Sequence, residues 1–188
     1  MRASDKTQRL VGEGVELRRH DPADYPLYAR WYGDEEIWRL TSWAPQPLRR
    51  SEAERLFEDR EKSSTDDSFA IYREDGEEPI GVISLTNISE ANASAELSII
   101  VGEERDRNEG LGTEAIRVIL RYAFEELGLE SVGLSVFEFN EPAVQAYEKL
   151  GFEREGRIQQ AVWRDGTSHD AILMRIHAPE RREGKASS

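Results

Sequence analysis

Arg107 to Thr113 reads R-N-E-G-L-G-T. The glycines at 110 and 112 remove side chains where the N–H groups of a helix start would point outward. Those donors, with the helix dipole, form a site for an anion such as a pyrophosphate. A plain tight turn from strand to helix would use the same two glycines. Other phosphate loops fit less well: a dinucleotide fingerprint needs a third glycine where Ala115 stands, and a P-loop needs G-K-[ST], which is absent.

Downstream, Ile116, Ile119, Leu120, Ala123, Phe124 and Leu127 recur at helical spacing, with Gly128 where a left-handed terminal residue is wanted. Val132, Leu134 and Val136 then alternate as a strand, and Ala143, Ala146, Tyr147 and Leu150 mark a short helix that Gly151 stops. Phe152 to Trp163 and H-D-A-I-L-M-R flank Asp165-Gly166 and predict a closing hairpin. Upstream, A-E-L-S-I-I-V (Ala95 to Val101) puts Leu97, Ile99 and Val101 on one face and Glu96, Ser98 and Ile100 on the other. F-A-I-Y from Phe69 and P-I-G-V-I-S-L from Pro79 lie either side of Asp75-Gly76 and complete an antiparallel meander. Ser51 and Glu54 have capping-box spacing and predict a helix start; before them come the strand V-E-L-R, the turn D-P-A-D and one further helical stretch. The predicted domain, 14–177, is α/β: one mixed, mostly antiparallel sheet of about seven strands with helices on both faces. Residues 1–13 and 178–188 are polar and aperiodic, and are expected to be mobile ends.

The chain has 188 residues, 38% hydrophobic and 34% charged, which suits one folded domain. A formal charge of −13 argues against nucleic acid as a partner and would attract a cation, although solubility alone also accounts for it. Without cysteine there is no disulfide or thiolate chemistry, and His20, His169 and His177 lack zinc-site spacing, so no metal is expected. No apolar run reaches the roughly 18 to 20 residues of a membrane span, and the first residues lack a signal-peptide core. The expectation is a cytoplasmic protein with no membrane partner.

R-x-x-G-x-G at Arg107 to Gly112, after a strand carrying Glu96 and before a long helix, resembles the acetyl-CoA signature of the GNAT N-acetyltransferase superfamily. F-N-E-P-A-V-Q-A-Y-E-K-L-G-F (Phe139 to Phe152) resembles that family's second block. W-Y-G-D-E-E-I-W-R and W-R-D-G-T-S-H-D-A-I-L-M are similar to its RimJ/RimL-like branch, which includes protein N-terminal, polyamine and antibiotic acetyltransferases. The likeness runs from about Gly14 to Arg175. Asn108 and Glu109 depart from the small or basic residues usual after the arginine, so Glu109 has to turn its acid away from a polyanion.

The resemblance implies a GNAT fold whose sheet is splayed at the cofactor site, with acetyl-CoA as donor. A primary amine, on a peptide N-terminus or a small cationic molecule, would attack the thioester directly. It also implies that pantetheine pairs with Ile99, Ile100 and Val101, and that the loop of Arg107, Asn108, Glu109, Gly110, Leu111, Gly112 and Thr113 holds the pyrophosphate. Asn140 and Tyr147 would contact the same cofactor. Family members are often homodimers, though nothing in the sequence marks an interface. A non-catalytic acyl-CoA sensor would keep the same loop.

Only a neutral amine attacks a thioester. A lysine-like amine of pKa about 10.4 is neutral in roughly one molecule in 2,500 at pH 7, a penalty of about 4.6 kcal/mol, against about 1.4 kcal/mol for an α-amine near pKa 8. Glu96 lies on the strand that resembles the family's acetyl-CoA strand, where the resemblance implies a general base, the other possibility being a solvated strand acid; His169 beside Asp170 is a second candidate. Tyr147 matches the family tyrosine that protonates the departing thiolate, or it packs with Ala143 and Leu150. Asn140 caps the short helix or touches the cofactor. Aromatic and acidic groups together suit a cation, so Trp31, Glu35 and Trp38, with Glu96, are the expected substrate contacts; tryptophans in early helices also commonly form core.

Overall fold

The computed structural model describes residues 7–107 and 109–180; residues 1–6, Asn108 and residues 181–188 lie outside the described part. β1 (Arg9–Val11) and β2 (Val15–Arg18) form a hairpin, followed by α1 (Tyr25–Tyr32), α2 (Glu35–Thr41) and α3 (Arg50–Lys62). β3 (Asp67–Arg73), β4 (Pro79–Ser89) and β5 (Ser94–Val101) form a meander. α4 (Leu111–Arg121), β6 (Ser131–Phe137), α5 (Glu141–Leu150), β7 (Glu153–Arg164) and β8 (Thr167–His177) complete the domain. The eight strands make one sheet in the order β1-β2-β3-β4-β5-β6-β8-β7, antiparallel throughout except between β5 and β6.

Three local expectations change. R-L-V is too short to show alternation, yet Leu10 is buried and pairs with Leu17, so β1 is the added strand and ordered structure begins before Gly14. The early helical stretch is two helices, because Asp34 accepts the Ile37 N–H at 2.9 Å and caps α2 just after α1 ends. α3 opens at Arg49 with Glu52 rather than at Ser51 with Glu54: the Glu52 carboxylate accepts the Arg49 N–H at 2.8 Å.

Pleating sends Phe69 and Ile71 of β3 to one face and Ala70 and Tyr72 to the other. The first pair joins Ile83 of β4, Leu97 of β5, Leu134 of β6, Ile116 and Ile119 of α4, and Val144 of α5 in the main core. The second joins Tyr28 and Trp31 of α1 and Phe57 of α3 in a smaller one. Helices therefore cover both faces. α4 continues through a π-helical turn, where the Leu127 N–H reaches the Tyr122 carbonyl at 3.0 Å, and stops at Gly128 with φ +68°. Asp165 and Gly166, at φ +52° and +78°, make the two-residue turn of the last hairpin. The β7 ladder is interrupted twice, between Arg154 and Gly156 and between Ile158 and Val162. Among the described residues no helix is long and apolar enough to cross a membrane.

Candidate active site

β5 and β6 pair over only three rungs, Ser94–Ser131, Ala95–Val132 and Glu96–Gly133. Beyond them β5 stays with β4 as far as Val101, while β6 stays with β8 as far as Phe137. The sheet forks there, and among the described residues the β6 side of Leu97–Val101 has no strand to pair with. A free edge of this kind accepts an extended molecule as an added strand.

Beside the fork stands the start of α4. Gly110 has φ +80° with open space around its α-carbon among the described residues, so conformation rather than crowding favours glycine there. Gly112 answers a different demand: a Cβ on it would lie 3.2 Å from Val101 Cγ2, so its absence lets the helix start approach β5 closely. Among the described residues no side chain caps α4 and nothing accepts the N–H groups of Leu111, Gly112 and Thr113. Glu109, whose charge would oppose an anion, is held by Arg73 at 2.7 Å. Arg107 braces the end of β5, donating from Nε to the Val101 carbonyl (3.2 Å) and from Nη2 to the Gly102 carbonyl (3.0 Å), with Glu36 3.3 Å from Nη1. Asn108, expected in this loop, lies outside the described residues.

Glu96 occupies the last rung before the fork, and Tyr147 of α5 packs against the main core on the other face of the sheet. Burial raises the Glu96 carboxyl above the ordinary range and a nearby Glu155 adds to it, while Arg175, 3.8 Å away, works against both. Tyr147 sets its ring edge-on to Phe152 at 5.8 Å, and among the described residues its hydroxyl bonds to nothing. Burial pushes that phenol up to about 12. Asn140 stands at the start of α5 without capping it by its side chain; Nδ2 donates to the Leu40 carbonyl at 3.3 Å and ties α2 to the β6–α5 turn. His169 sits edge-on to Phe139 at 4.7 Å, at the hairpin rather than the fork.

The expected acceptor contacts separate. Trp31 is only 2% exposed, packs under Gly102 and donates its indole N–H to Glu103 at 3.1 Å, so most of its ring is core. Trp38 has one face occupied by the Arg164 guanidinium, 3.9 Å from the ring centre, and its indole N–H bonds the Ala44 carbonyl at 2.9 Å. Glu35 is exposed in the first turn of α2. Three participants carried no signal in the sequence. Arg164 is buried and donates to the Ser42 carbonyl at 2.6 Å, and Arg175 and Glu155 stand beside Glu96. A strand pattern would have found them only with the register known.

Residues 15–153 match the family described as acetyltransferase (GNAT) domain. An N-acetyltransferase 9-like protein of Caenorhabditis briggsae is 31% identical over 159 residues, 78% of each chain. A spermidine N(1)-acetyltransferase of Escherichia coli (strain K12) is 35% identical over 102 residues, 54% of each chain. The crystal structure of spermidine N-acetyltransferase from Vibrio cholerae in complex with CoA and spermine aligns with a TM-score of 0.80 over 87% of this chain and 95% of its own, at 24% identity, a likeness of fold.

Proposed function

Because this chain belongs to the GNAT acetyltransferase family and is thereby an N-acetyltransferase, we propose that it moves the acetyl group of acetyl-CoA to the primary amine of a small cationic molecule or a peptide N-terminus. One observation carries the proposal: the N–H groups of Leu111, Gly112 and Thr113, which bond to nothing among the described residues, stand beside the edge of β5 that the fork leaves open. The first suits a pyrophosphate and the second an extended pantetheine. Acetyl-CoA supplies an acetyl group activated as a thioester.

Glu96 takes the proton that the incoming ammonium must lose. A carboxyl raised by burial binds that proton better than an ordinary glutamate. The help matters most for a polyamine, whose neutral form is roughly a thousandth or less of the total at pH 7, and least for an α-amine near pKa 8. Tyr147, with its phenol up at about 12, gives the departing sulfur a hydrogen bond more readily than a whole proton, since a thiol titrates near about 8.5. The chain's charge of −13 and the exposed Glu35 favour a cationic acceptor, in keeping with the spermidine-acetylating relative.

The test follows release of CoA with spermidine, peptides bearing a free N-terminus, aminoglycosides and amino acids. Turnover should be greatest with a cationic amine. Tyr147→Phe should lower kcat by roughly ten- to a thousandfold while leaving CoA affinity and Tm in place, because among the described residues its hydroxyl makes no bond. Failure of every acceptor to release CoA would refute the proposal.

A further inference from the structure

Glu96, Gly133, Arg175 and Glu153 form one row across four strands, each in register with the next. Residues in register share a face of the sheet. A Cβ at Gly133 would lie 2.9 Å and 3.0 Å from the two Glu96 carboxylate oxygens and 3.0 Å from Arg175 Nη2. The bare Gly133 is therefore a seat in which the acid and the guanidinium meet. Simple alternation would make Glu153 the acid beside Arg175. The β7 bulge between Arg154 and Gly156 instead inserts Glu155, whose Oε2 lies 2.8 Å from Arg175 Nε, closer than the 3.8 Å between Arg175 Nη2 and Glu96 Oε1.

We infer that Arg175 is a positioning residue for Glu96, and that Glu155 holds it partly away, so that this pair sets the pH at which Glu96 accepts a proton. The inference rests on Glu96 being the base proposed above. The charged groups facing Glu96 are Arg175 from β8 and Glu155 from β7; β4 contributes Thr86 in register and β6 contributes Gly133. Arg175 favours the ionised carboxylate, whereas burial and Glu155 favour the protonated form. A guanidinium shared between two acids attracts each less than one turned wholly to either. Arg175 thus keeps Glu96 seated over Gly133 without fixing it as a permanent anion, and the bulge is what places the competing acid.

Two variants should move Glu96 in opposite directions. In Glu155→Gln, Arg175 is free to close on Glu96, and the Glu96 titration should fall by on the order of one pH unit. In Arg175→Gln the attraction is lost and Glu155 remains, so the titration should rise by about as much. Carbon-13 NMR of the protein labelled at the glutamate carboxyls reads this without turnover, the Glu96 signal being the one missing from Glu96→Gln. The acid limb of kcat/KM against pH, measured with spermidine and saturating acetyl-CoA, should follow the same two shifts. Melting curves confirm that each variant is folded. A role confined to packing would lower rates at every pH and leave both midpoints in place; midpoints that fail to move in opposite directions overturn the inference. If the midpoints move but Glu96→Gln keeps the wild-type acid limb, the base assignment falls instead.

Discussion

The two flanks of the fork are built by opposite means. On the α4 side, side chains are removed at Gly110 and Gly112, and among the described residues the first N–H groups of the helix are left bare. On the other side, from α2 to the β7–β8 hairpin, side chains are tied down. Arg39 pairs with Asp165 at 2.6 Å, Arg164 bonds the Ser42 carbonyl at 2.6 Å, Asn140 bonds the Leu40 carbonyl at 3.3 Å, and Trp43 lies against Phe137 at 5.1 Å. A bare helix start recognises a phosphate chain whatever else is bound. A web of side chains has a shape particular to one protein. On the function proposed above, the first flank suits the CoA donor and the second the amine acceptor.

The hardest test of that contrast is Gly110→Asp. Aspartate is one of the few residues with a side chain that reach the left-handed conformation, at a cost of about 1 kcal/mol, and among the described residues a Cβ there meets nothing within 4 Å, so the fold should hold with a carboxylate beside the helix start. Calorimetry should show CoA affinity reduced on the order of a hundredfold, with Tm lowered by only about 3 °C. Unaltered affinity would remove the bare-backbone half of the comparison. Arg164→Met attacks the other flank. It deletes the bond to Ser42 and the cation over Trp38, which should cost about 2 kcal/mol and lower Tm by roughly 5 °C. KM for the acceptor should rise about tenfold while CoA affinity stays put; equal damage to both would show that the flanks are not independent.

The smallest expected effect is one of pH. His20 lies between Tyr28 and Ser68, and burial, then Arg60 and Arg19, bring its pKa from 6.5 to about 3. Its folded value is depressed, so its contribution to stability is whole above about pH 6.5 and is lost as pH falls from there toward about 3. Between pH 7 and 5.5 the loss should be about 1 kcal/mol, and His20→Gln should flatten it. Hydrogen exchange should report the acid loosening in α1 and α3, which pack on His20 and its partners, before α4. A uniform response would deny that the two halves differ.

What could be read in the sequence follows the same division. The glycine loop, the apolar stripe of α4 and the Gly151 stop are legible because backbone conformation and helical period leave local marks. Trp31 and Trp38 are ambiguous, since W-Y-G-D-E-E-I-W-R looks alike whether its rings line a cleft or fill a core; only packing under Gly102 and against Arg164 separates the two. As sequence, Asn140 suits a cap or a cofactor contact, and its bond to Leu40, a hundred residues away, has no local trace. Arg175 and Glu155 are invisible for a like reason: their meeting depends on an inserted residue in β7, and strand patterns do not announce bulges.

Those interruptions in β7 act beyond the site. β7 is the last strand of the sheet, and Glu153 through Gln160 are all exposed along it. A continuous border of that length would be a ready template for another chain to copy. The ladder keeps step with β8 only over Glu153–Arg154, then Gly156–Ile158, then Val162–Arg164. No regular stretch is longer than three residues, too short to seed an extended ribbon, and the charges of E-R-E-G-R sit across the first two of them. The insertion that brings an acid to Arg175 is thus also one of the two breaks that keep this border from serving as a template.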